Sequence, residues 1–509
     1  MPGGPAASTR ETVTRWGVLA LAVAIFVVAW GATAWVCDDG YIVFRVVRNL
    51  VDGHGPAWNP GQRVQVFTDP LWVLLLWPLA ATGLPPHQAA LGASVVLSSL
   101  GVLGLLAPAV RTSWRLVLLG LLLLLGSRSF MHFTSSGLET PLLLVLLVAL
   151  RATLSQPGGL GGGTLVAALL VLCRPDALVV ALPLLAPRLL ARVRSVGGPR
   201  AGAELAAGAL PLLAWCAFAI AWYGTPVPNT FFAKVTTGSP LDVRVSLGVG
   251  YVLDSVRHDP LLAPVLVGAL VAPAVVRAPG TRSTAAAISL HLLYVVLTSG
   301  DYMPGRFLFV PYVLGVASLL EVLAAGLSET GVRRAWIATA LACATLAVVW
   351  PRIPLAMERW RGVVAPLELG VHDWQRDARW PHRTWNWAPD PGIRPPLRAV
   401  EGRRRVELRE AAGGTVYVLP PDTHVVDVFA ITDPLLARLP APGGGRGHFE
   451  RTVPEGYLEV LAGTEDALAD PALDAFRVEV ARVTEGPLWT RARWASIARL
   501  SLAPLAPSP

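Results

Sequence analysis

Charged residues are scarce in this chain. Asp, Glu, Lys and Arg make up 15% of its 509 residues, whereas a soluble protein of this size carries about a quarter. Hydrophobic residues make up 53%, and the mean hydropathy is +0.54. The apolar residues lie in uninterrupted blocks whose length of about twenty matches a bilayer core about 30 Å thick. The composition therefore excludes an ordinary soluble protein and predicts a polytopic α-helical membrane protein.

Cysteine and lysine are also rare. Cys173, Cys216 and Cys343 lie inside apolar segments, where a thiol packs as a small hydrophobe. No CxxC or Cys/His spacing occurs, so the sequence predicts neither a zinc site nor a disulfide framework. Lys234 is the single lysine, and arginine supplies the rest of the basic charge. Arginines gathered in short loops are typical of cytoplasmic loops, so the net charge of +8 does not indicate a nucleic-acid partner.

Apolar blocks along the first 350 residues predict about eleven transmembrane helices. The first block is too long for a signal peptide and no A-x-A site precedes Asp38, so we expect an uncleaved helix. The block at 164–187 is interrupted by "RPD" at 174–176. The blocks lie at 16–36, 70–84, 88–110, 116–126, 138–153, 164–187, 203–223, 260–277, 284–299, 306–326 and 335–350.

Arginine placement predicts the orientation in the cell membrane. Loops rich in arginine are expected in the cytoplasm. This assignment places 37–69, 224–259, 300–305 and everything after 350 on the extracytoplasmic side. The arginines used are Arg10, Arg15, Arg188, Arg192, Arg194, Arg200, Arg277, Arg282, Arg333 and Arg334.

The chain changes character after Trp350. Residues 351–509 lose the long apolar runs and gain charged residues, proline and glycine. Alternating stretches such as "GTVYVLP" and "HVVDVFAI" predict strands, and "YLEVLAGTEDAL" predicts a helix. We therefore expect a transmembrane domain at 1–350 and an extracytoplasmic, soluble mixed α/β domain at 351–509.

Ionisable side chains cluster at the predicted outer ends of the spans. Such residues are costly beside a bilayer and by default indicate function. Several of both signs on one membrane face predict a polar cavity, although each alone is also explained as a solvated anchor or a helix cap. The residues are Asp38, Asp39, Glu139, Arg174, Asp176, Asn229, Lys234, Asp301 and Arg306.

These residue types suit sugar transfer from a lipid phosphate. A hydroxyl that attacks a sugar carbon needs a carboxylate to take its proton, a role that suits Asp38 and Asp39. A phosphate leaving group needs cationic stabilisation, which suits Lys234, Arg306 and Arg174. Paired aspartates beside a phosphate could also hold a divalent cation. The basic residues could equally serve without a metal, so a divalent cation stays possible and no residue is assigned to one.

The order of motifs resembles a known enzyme class. The segment "DDGYIVFRVVRNLVDGHGPAWNPGQRVQVFTDPLW" is similar to the first outer loop of membrane-embedded GT-C glycosyltransferases. "SSGLETPL", "CRPDAL", "YGTPVPNTFFAK" and "SGDYMPGRF" continue the resemblance in order. The tail segment "DVFAITDPLLARLPAPGGGRGHFERTVPEGYLEVL" is similar to one subgroup, the actinobacterial terminal β-(1→2)-arabinofuranosyltransferases.

The resemblance implies a GT-C fold, a donor and an acceptor. The donor would be decaprenyl-phosphoryl arabinose, and the acceptor the 2-hydroxyl of a terminal arabinofuranose on arabinogalactan or lipoarabinomannan. Asp38 would be the catalytic carboxylate and Asp39 its neighbour. If donor and product are both β-linked, the configuration is retained, which a single displacement does not explain. This chain departs from the pattern in its shorter outer domain and in Gly40 after the two aspartates.

The matched motifs also imply roles for further residues. Substrate contacts are expected for Arg45, His54, Glu139, Asp176, Asn229 and Asp301. Acceptor contacts in the outer domain are expected for Asp427, Asp433, Arg438, His448, Arg451 and Tyr457.

Three other functions remain open at the level of sequence. One is a mannosyltransferase of the same class that uses a polyprenyl-phosphate mannose. Another is a lipid-linked glycan transporter, which would be expected to show broken helices, polar groups at mid-membrane and internal repeats. The last is an assembly protein that binds cell-wall glycan without catalysis, in which Asp38 and Asp39 would be dispensable.

Overall fold

The structure is a computed structural model that describes residues 9–276, 280–326, 395–441, 445–503 and 505. Within these ranges the chain is mostly helical. The span predicted at 335–350 and the domain boundary predicted at residue 350 lie outside the described residues. The total of eleven spans therefore stays a prediction.

Residues 9–276 and 280–326 fold into helices α1 to α15. Their bounds, in chain order, are Thr9–Thr33, Gly40–Val51, Pro70–Ala81, Pro86–Thr112, Trp114–Gly126, Arg128–Phe133, Thr140–Ser155, Gly161–Cys173, Ala177–Val196, Gly198–Tyr223, Asn229–Lys234, Leu241–His258, Leu262–Val275, Thr281–Leu297 and Phe309–Gly326.

Several of these helices can cross a membrane. Among the described residues, Thr14–Thr33 of α1, α4 and α10 have the length and composition of full spans. Helices α12 and α13 make a fourth candidate if counted together, bent by 111° at the break between them. The shorter apolar helices α3, α5, α7, α8, α14 and α15 coincide with predicted blocks. The protein is therefore a mostly helical, multi-pass membrane protein.

The interrupted block at 164–187 forms two helices. Arg174 is extended, with φ −156° and ψ 123°, so α8 ends at Cys173 and α9 begins at Ala177. Pro175 has no backbone N–H and disfavours a helical conformation for the residue before it. The break places the polar side chains of residues 174–176 at a junction between two apolar helices.

Two predicted outer segments contain helices that the apolar blocks did not indicate. The segment 37–69 holds α2, which is amphipathic and buries its apolar side against the helical core. The segment 224–259 holds α11 and α12. None of these three helices was predicted, because each mixes apolar with polar residues and lacks an apolar run of about twenty.

Small residues set how closely the apolar helices approach. At Gly208 in α10, a Cβ would lie 2.6 Å from the Gly161 carbonyl oxygen in α8. At Gly104 in α4, a Cβ would lie 2.7 Å from Cγ1 of Val148 in α7. Glycine at such positions allows backbones to meet in an environment where packing drives helix association.

The C-terminal segment contains strands as well as helices. Strands β1 (Arg398–Val400), β2 (Val406–Arg409) and β3 (His424–Asp427) form a sheet in that order. β1 runs antiparallel to β2, and β2 runs parallel to β3. The short helix α16 (Gly414–Tyr417) lies in the crossover between β2 and β3. A 3-10 turn (Leu436–Arg438) and helices α17 (Tyr457–Ala462), α18 (Pro471–Thr484) and α19 (Arg491–Leu502) follow.

The C-terminal segment shares a hydrophobic core with the helical part. The fully buried Arg45 of α2 crosses this junction, donating from Nη1 to the Val416 carbonyl at 3.0 Å and from Nη2 to the Thr423 carbonyl at 3.2 Å. The crossover is thereby fixed over α2. The residues that this segment adds to the common core include Ala412, Val416, Leu419, Val425 and Ile431.

We expect Gly208→Ala to lower the melting temperature of the detergent-solubilised protein by at least about 2 °C. The added methyl meets backbone in α8, and overpacking costs roughly 1–3 kcal/mol. Gly202→Ala in the same helix is the control, because a Cβ there meets nothing within 4 Å. Alanine favours an exposed helical position, so this variant should melt at the same temperature or higher. Equal melting temperatures for both variants would contradict the close packing of α8 and α10.

Candidate functional site

The two adjacent aspartates lie in a short turn between α1 and α2. The amide of Cys37 donates to the carbonyl of Ser136 at 2.9 Å, which ties the turn to the loop before α7. The amide of Gly40 donates to the carbonyl of Cys37 at 3.2 Å, and α2 starts there. Because both aspartates stand at a fixed helix junction, their side chains are directed to different surroundings.

Asp39 is the centre of an ionic cluster. Its Oδ2 lies 2.7 Å from Nη1 of Arg306, and its Oδ1 accepts a hydrogen bond from the Tyr302 hydroxyl at 2.8 Å. The same Nη1 lies 3.3 Å from Oδ2 of Asp301. Burial alone would raise the pKa of Asp39, but Arg306, followed by Lys234 and His448, holds it below its ordinary value. Asp39 is therefore ionised at neutral pH.

Asp38 contacts the C-terminal segment instead. Its side chain is exposed, and its Oδ1 accepts a hydrogen bond from the backbone amide of Gly414 at 2.7 Å. A Cβ on Gly413 would overlap the carboxylate, so only glycine lets this backbone approach. Gly414 opens "GTVYVLP", which the sequence predicted as a strand. That prediction was wrong, because residues Gly414–Tyr417 form helix α16, and the sequence did not connect these glycines with Asp38.

Lys234 is the last residue of α11 and lies half-buried beside this cluster. It is close enough to lower the pKa of both Asp39 and His448. In the part of the chain that the structure describes, its ammonium group has neither a hydrogen-bond nor an ion-pair partner. The only lysine of the chain is thus a cation available to a ligand.

A second ionic cluster adjoins the first. Arg174 donates to both carboxylate oxygens of Asp176, at 2.9 and 2.8 Å, and to Oε1 of Glu139 at 3.1 Å. Its guanidinium also lies 5.0 Å from the ring centre of Phe307, next to Arg306 in the chain. Glu139 and Asp176 are buried, with 2% and 8% of their surface exposed. The three residues, all predicted from sequence, are therefore brought together.

Asp69 belongs to this second cluster and was not predicted. It is 3% exposed and precedes Pro70 at the start of α3. Burial, followed by the nearby charge of Glu139, raises the pKa of Asp69 well above its ordinary value. The signal was present in the sequence, because Asp69 lies in the "TDPLW" end of the first-loop motif. It was missed because an aspartate before a proline at a helix start is also an ordinary cap.

His448 brings the C-terminal segment into the first cluster. Its ring packs edge-on against Tyr302 and against Phe429, with centroid separations of 4.8 and 4.7 Å. Burial, followed by the charge of Lys234, lowers the pKa of His448 to about 4, although Asp39 and Asp301 oppose the shift. His448 is therefore neutral at pH 7. It is the member of the predicted acceptor-binding set that lies beside the aspartate pair.

The other predicted acceptor residues bond to the protein itself. Asp433 accepts from the amides of Leu435 and Leu436 and from the Tyr457 hydroxyl at 2.8 Å. Asp427 accepts from the amide of Thr432 at 2.7 Å. Arg438 donates to the Pro434 carbonyl, and Arg451 to the carbonyls of Leu439, Phe449 and Ala233. These contacts indicate a structural role, and acceptor binding stays a prediction for Asp427, Asp433, Arg438, Arg451 and Tyr457.

Three further residues were predicted to contact substrate. Arg45 is fully buried and bonds to backbone carbonyls, as described above. Asn229 uses its amide to hold the C-terminal segment, with Ala430 and Ile431 carbonyls each 3.0 Å from its Nδ2. His54 is exposed in the loop after α2. The side chains of Arg45 and Asn229 are thus engaged within the protein, and contact of these three residues with substrate stays a prediction.

No cation is assigned to the site. Over residues 9–276, 280–326 and the described C-terminal stretches, no group of three or more His, Cys, Asp or Glu has a metal-binding arrangement. The two carboxylate oxygens of Asp39 already face a guanidinium and a hydroxyl.

The fold and the site thus define a multi-pass helical membrane protein that has two linked ionic clusters at the ends of its apolar helices. Comparison with known proteins shows which enzymes the chain is similar to. The chain is 32% identical to the terminal β-(1→2)-arabinofuranosyltransferase of Mycobacterium tuberculosis, over 59% of this chain and 54% of that enzyme. It is 30% identical to the enzyme of the same name from Corynebacterium glutamicum, over 57% of this chain and 48% of the other.

These matches confirm the relationship to terminal arabinofuranosyltransferases that the motifs predicted. The chain spans about half the length of these curated relatives. No protein-family model and no solved structure matches it.

We expect His448→Gln to reduce the loss of stability on acidification. In wild type the unfolded histidine titrates near pH 6.5 and the folded one near 4. The unfolded chain therefore binds more protons in this window, and stability falls as pH drops through it. The His448→Gln variant lacks this titrating group, so its stability should fall less as the pH drops.

The measurement is the melting temperature of each variant in detergent at pH 7.0 and pH 4.5. The decrease should be smaller for His448→Gln than for wild type by about 2–4 °C. His54→Gln, at an exposed position, should keep the wild-type decrease. A decrease in His448→Gln equal to that of wild type would show that this ring is not held neutral by its surroundings.

Proposed function

We propose that this protein is a membrane glycosyltransferase that moves arabinofuranose from a polyprenyl-phosphate donor to a terminal arabinofuranose of cell-wall arabinan. The observation that carries the proposal is the similarity to two terminal β-(1→2)-arabinofuranosyltransferases. The site supports it independently, because it combines an accessible carboxylate with an available cation at the ends of apolar helices. The proposed donor is decaprenyl-phosphoryl arabinose, and the proposed acceptor group is the 2-hydroxyl.

Asp38 is the proposed general base. A base must reach the acceptor hydroxyl, and Asp38 is exposed, whereas both oxygens of Asp39 are held by Arg306 and Tyr302. As the new bond forms between the acceptor oxygen and the sugar carbon, the bond to the phosphate oxygen breaks. The hydroxyl proton passes to Asp38. This proton must be removed whichever face of the sugar is attacked.

Asp39 is a positioning residue in this proposal. Its contacts with Arg306 and Tyr302 fix the turn that carries Asp38 against the loop before α15. Because its pKa is held low, it keeps its negative charge and is a weak proton acceptor at neutral pH. The charge also keeps Arg306 in place.

Lys234 is the proposed principal ligand of the donor phosphate. Arg306 is shared between two carboxylates, Asp39 and Asp301, and Arg174 between Glu139 and Asp176. Each guanidinium is therefore largely neutralised before a ligand arrives. Lys234 lacks such a partner among the described residues. Charge-assisted contacts to phosphate are the strong ones, so the available ammonium should contribute most.

We expect Asp38→Asn to lower transfer by about 10²–10⁴-fold, the range for loss of a general base. The assay uses membranes, radiolabelled decaprenyl-phosphoryl arabinose and a short arabinofuranosyl acceptor. Asp39→Asn should also lower transfer, and in addition lower the melting temperature, because it removes the nearer of the two carboxylates that pair with Arg306. Asp422→Asn, at an exposed position in the C-terminal segment, should retain wild-type activity.

Two results would revise the proposal in different ways. Full transfer by Asp38→Asn would remove the general-base assignment and leave the reaction class intact. Transfer of mannose but not arabinose by folded wild type would instead favour the mannosyltransferase. Movement of lipid-linked sugar across a liposome membrane without transfer would favour the transporter.

We expect Lys234→Met to raise the donor KM by roughly 10–100-fold and to change the acceptor KM by less than about 3-fold. The range corresponds to a lost charge-assisted hydrogen bond of about 1.5–3 kcal/mol. Lys234→Arg should restore part of the donor affinity. Arg405→Met, at an exposed arginine of the C-terminal segment, serves as the control for loss of positive charge.

The single lysine permits a direct test of the same contact. Reductive methylation of wild type should modify Lys234, and mass spectrometry can separate this site from the N-terminal amine. Decaprenyl phosphate should protect Lys234, and neutral decaprenol should not. Equal modification with both lipids would show that the ammonium does not meet the phosphate.

A further inference from the structure

Helix α19 exposes an apolar stripe. Its inner side is formed by Arg493, Ser496 and Ile497, which are buried at the i, i+3, i+4 spacing of one helix face. The opposite side carries Trp494, Ala498 and Leu502 at i, i+4, i+8, all exposed. Leu502 is 89% exposed, although it is large and apolar.

The stripe continues into the residues before the helix. Trp489 is 75% exposed and stacks on Trp494, with a centroid separation of 6.1 Å and an interplanar angle of 23°. Leu505 is also exposed. The two stacked tryptophans and Leu502 exceed the single apolar residues that surfaces ordinarily scatter.

The buried side of α19 shows where the helix is attached. Arg493 donates to the carbonyls of Ala221 and Trp222, each 2.9 Å away, at the C-terminal end of α10. Helix α10 is one of the described helices with the length and composition of a membrane span. A helix end leaves carbonyls without intrahelical partners, and a buried guanidinium satisfies them. Helix α19 is therefore fastened to the end of a span.

Packing fixes the same junction. Gly224, directly after α10, has φ +81°, and a Cβ there would lie 3.2 Å from Cγ1 of Ile497. Near this end α10 itself carries Phe218, which is 39% exposed and stacks on Trp222. Aromatic residues at the end of a span are typical of the membrane–water interface. Helix α19 is thus packed against the end of a span that carries interfacial aromatic residues.

The charges at the stripe suit a lipid surface. Arg491 is exposed one turn before Trp494. Arg499 pairs with Glu479 of α18 at 2.8 Å, so its charge is directed to the protein. An amphipathic helix with tryptophan and leucine on one side and arginine at its margin binds the boundary between headgroups and acyl chains. Arginine near that boundary also attracts anionic lipid.

We propose that α19, together with Trp489, lies in the membrane interface and anchors the C-terminal segment on the bilayer beside α10. The partner is the lipid surface, with a preference for anionic headgroups near Arg491. The anchor holds the segment that supplies Gly414 and His448 at the depth of the aspartate pair. The inference is independent of the reaction that the site catalyses.

Stacked tryptophans can also bind sugars, but the surroundings favour lipid. A sugar platform needs hydrogen-bonding groups around the rings to meet the hydroxyls. Here Arg491 is the exposed charged side chain near the rings, and the stripe otherwise continues through Ala498 to Leu502, whose side chains offer no such groups. The sugar alternative is therefore tested as an opposing outcome.

The test places a fluorophore on the stripe of the full-length protein. Alanine replaces Cys37, Cys173, Cys216 and Cys343, and the melting temperature checks the background. Ala498→Cys is labelled with an environment-sensitive dye, and the protein is reconstituted in nanodiscs of phosphatidylethanolamine and phosphatidylglycerol. Asp466→Cys is the matched control, because this exposed residue lies before α18, about 20 Å of helix from its membrane-side end.

The dye at position 498 should emit at shorter wavelength than at 466 and be quenched at least about 3-fold more by spin-labelled lipids. Trp494→Ser with Leu502→Ser in the labelled background should reduce this difference, while the melting temperature in detergent stays near that of the background. Water-like emission and equal quenching at both positions would overturn the proposal. So would shielding of position 498 by an arabinofuranosyl oligosaccharide without lipid quenching, which would identify a sugar platform.

Discussion

The arrangement of the site depends on one ionic contact, the pair between Asp39 and Arg306. It joins the turn after α1 to the loop before α15, two segments more than 260 positions apart in sequence. Both side chains are largely removed from water, with 20% and 13% exposed. Loss of Arg306 would leave the charges of Asp39 and Asp301 uncompensated, and breaking a buried pair by removing one partner costs about 3–5 kcal/mol. Tyr302 and Asp301 complete the contact, so the turn that carries Asp38 has a defined place.

The neighbouring cations Arg174, Arg306 and Lys234 differ in how far their charges are paired, which indicates different roles. Arg174 and Arg306 each contact two acidic residues, and these contacts hold helix ends together. The net charge of the two clusters is therefore negative without Lys234. A lysine added to such a region lowers the cost of bringing a phosphate near the carboxylates. The chain uses arginine everywhere else, where bidentate geometry is useful, and places its one lysine where a ligand can reach it.

The C-terminal segment is part of the site as well as a neighbour of it. Gly413 and Gly414 meet the Asp38 carboxylate, and His448 packs against Tyr302. Arg45 and Asn229 bond this segment to the helical part through backbone carbonyls. Two residues predicted to contact substrate thereby hold this segment in place. An aspartate or arginine in a motif looks the same in the sequence whether it binds a ligand or bonds to an amide or a carbonyl inside the protein.

The sequence by itself determined the membrane class, the apolar helices, the ionic residues at their ends and the relationship to arabinofuranosyltransferases. These follow from local properties, because a bilayer requires long apolar runs and makes charges beside them costly. Sequence also placed Asp38 and Asp39 in one turn. The family resemblance named Asp38 as the catalytic carboxylate, but the sequence showed no physical difference between the two, nor did it reveal Asp69 or helix α2.

Only the tertiary structure decided which aspartate is bound by Arg306 and which one meets Gly414. It also decided that Asp427, Asp433 and Tyr457 bond internally and that His448 reaches the aspartate pair. These outcomes depend on pairs of residues up to several hundred positions apart. Hydrophobic periodicity in a single sequence does not reveal such pairs. They are fixed by how the helix ends and the crossover at Gly413–Gly414 pack together.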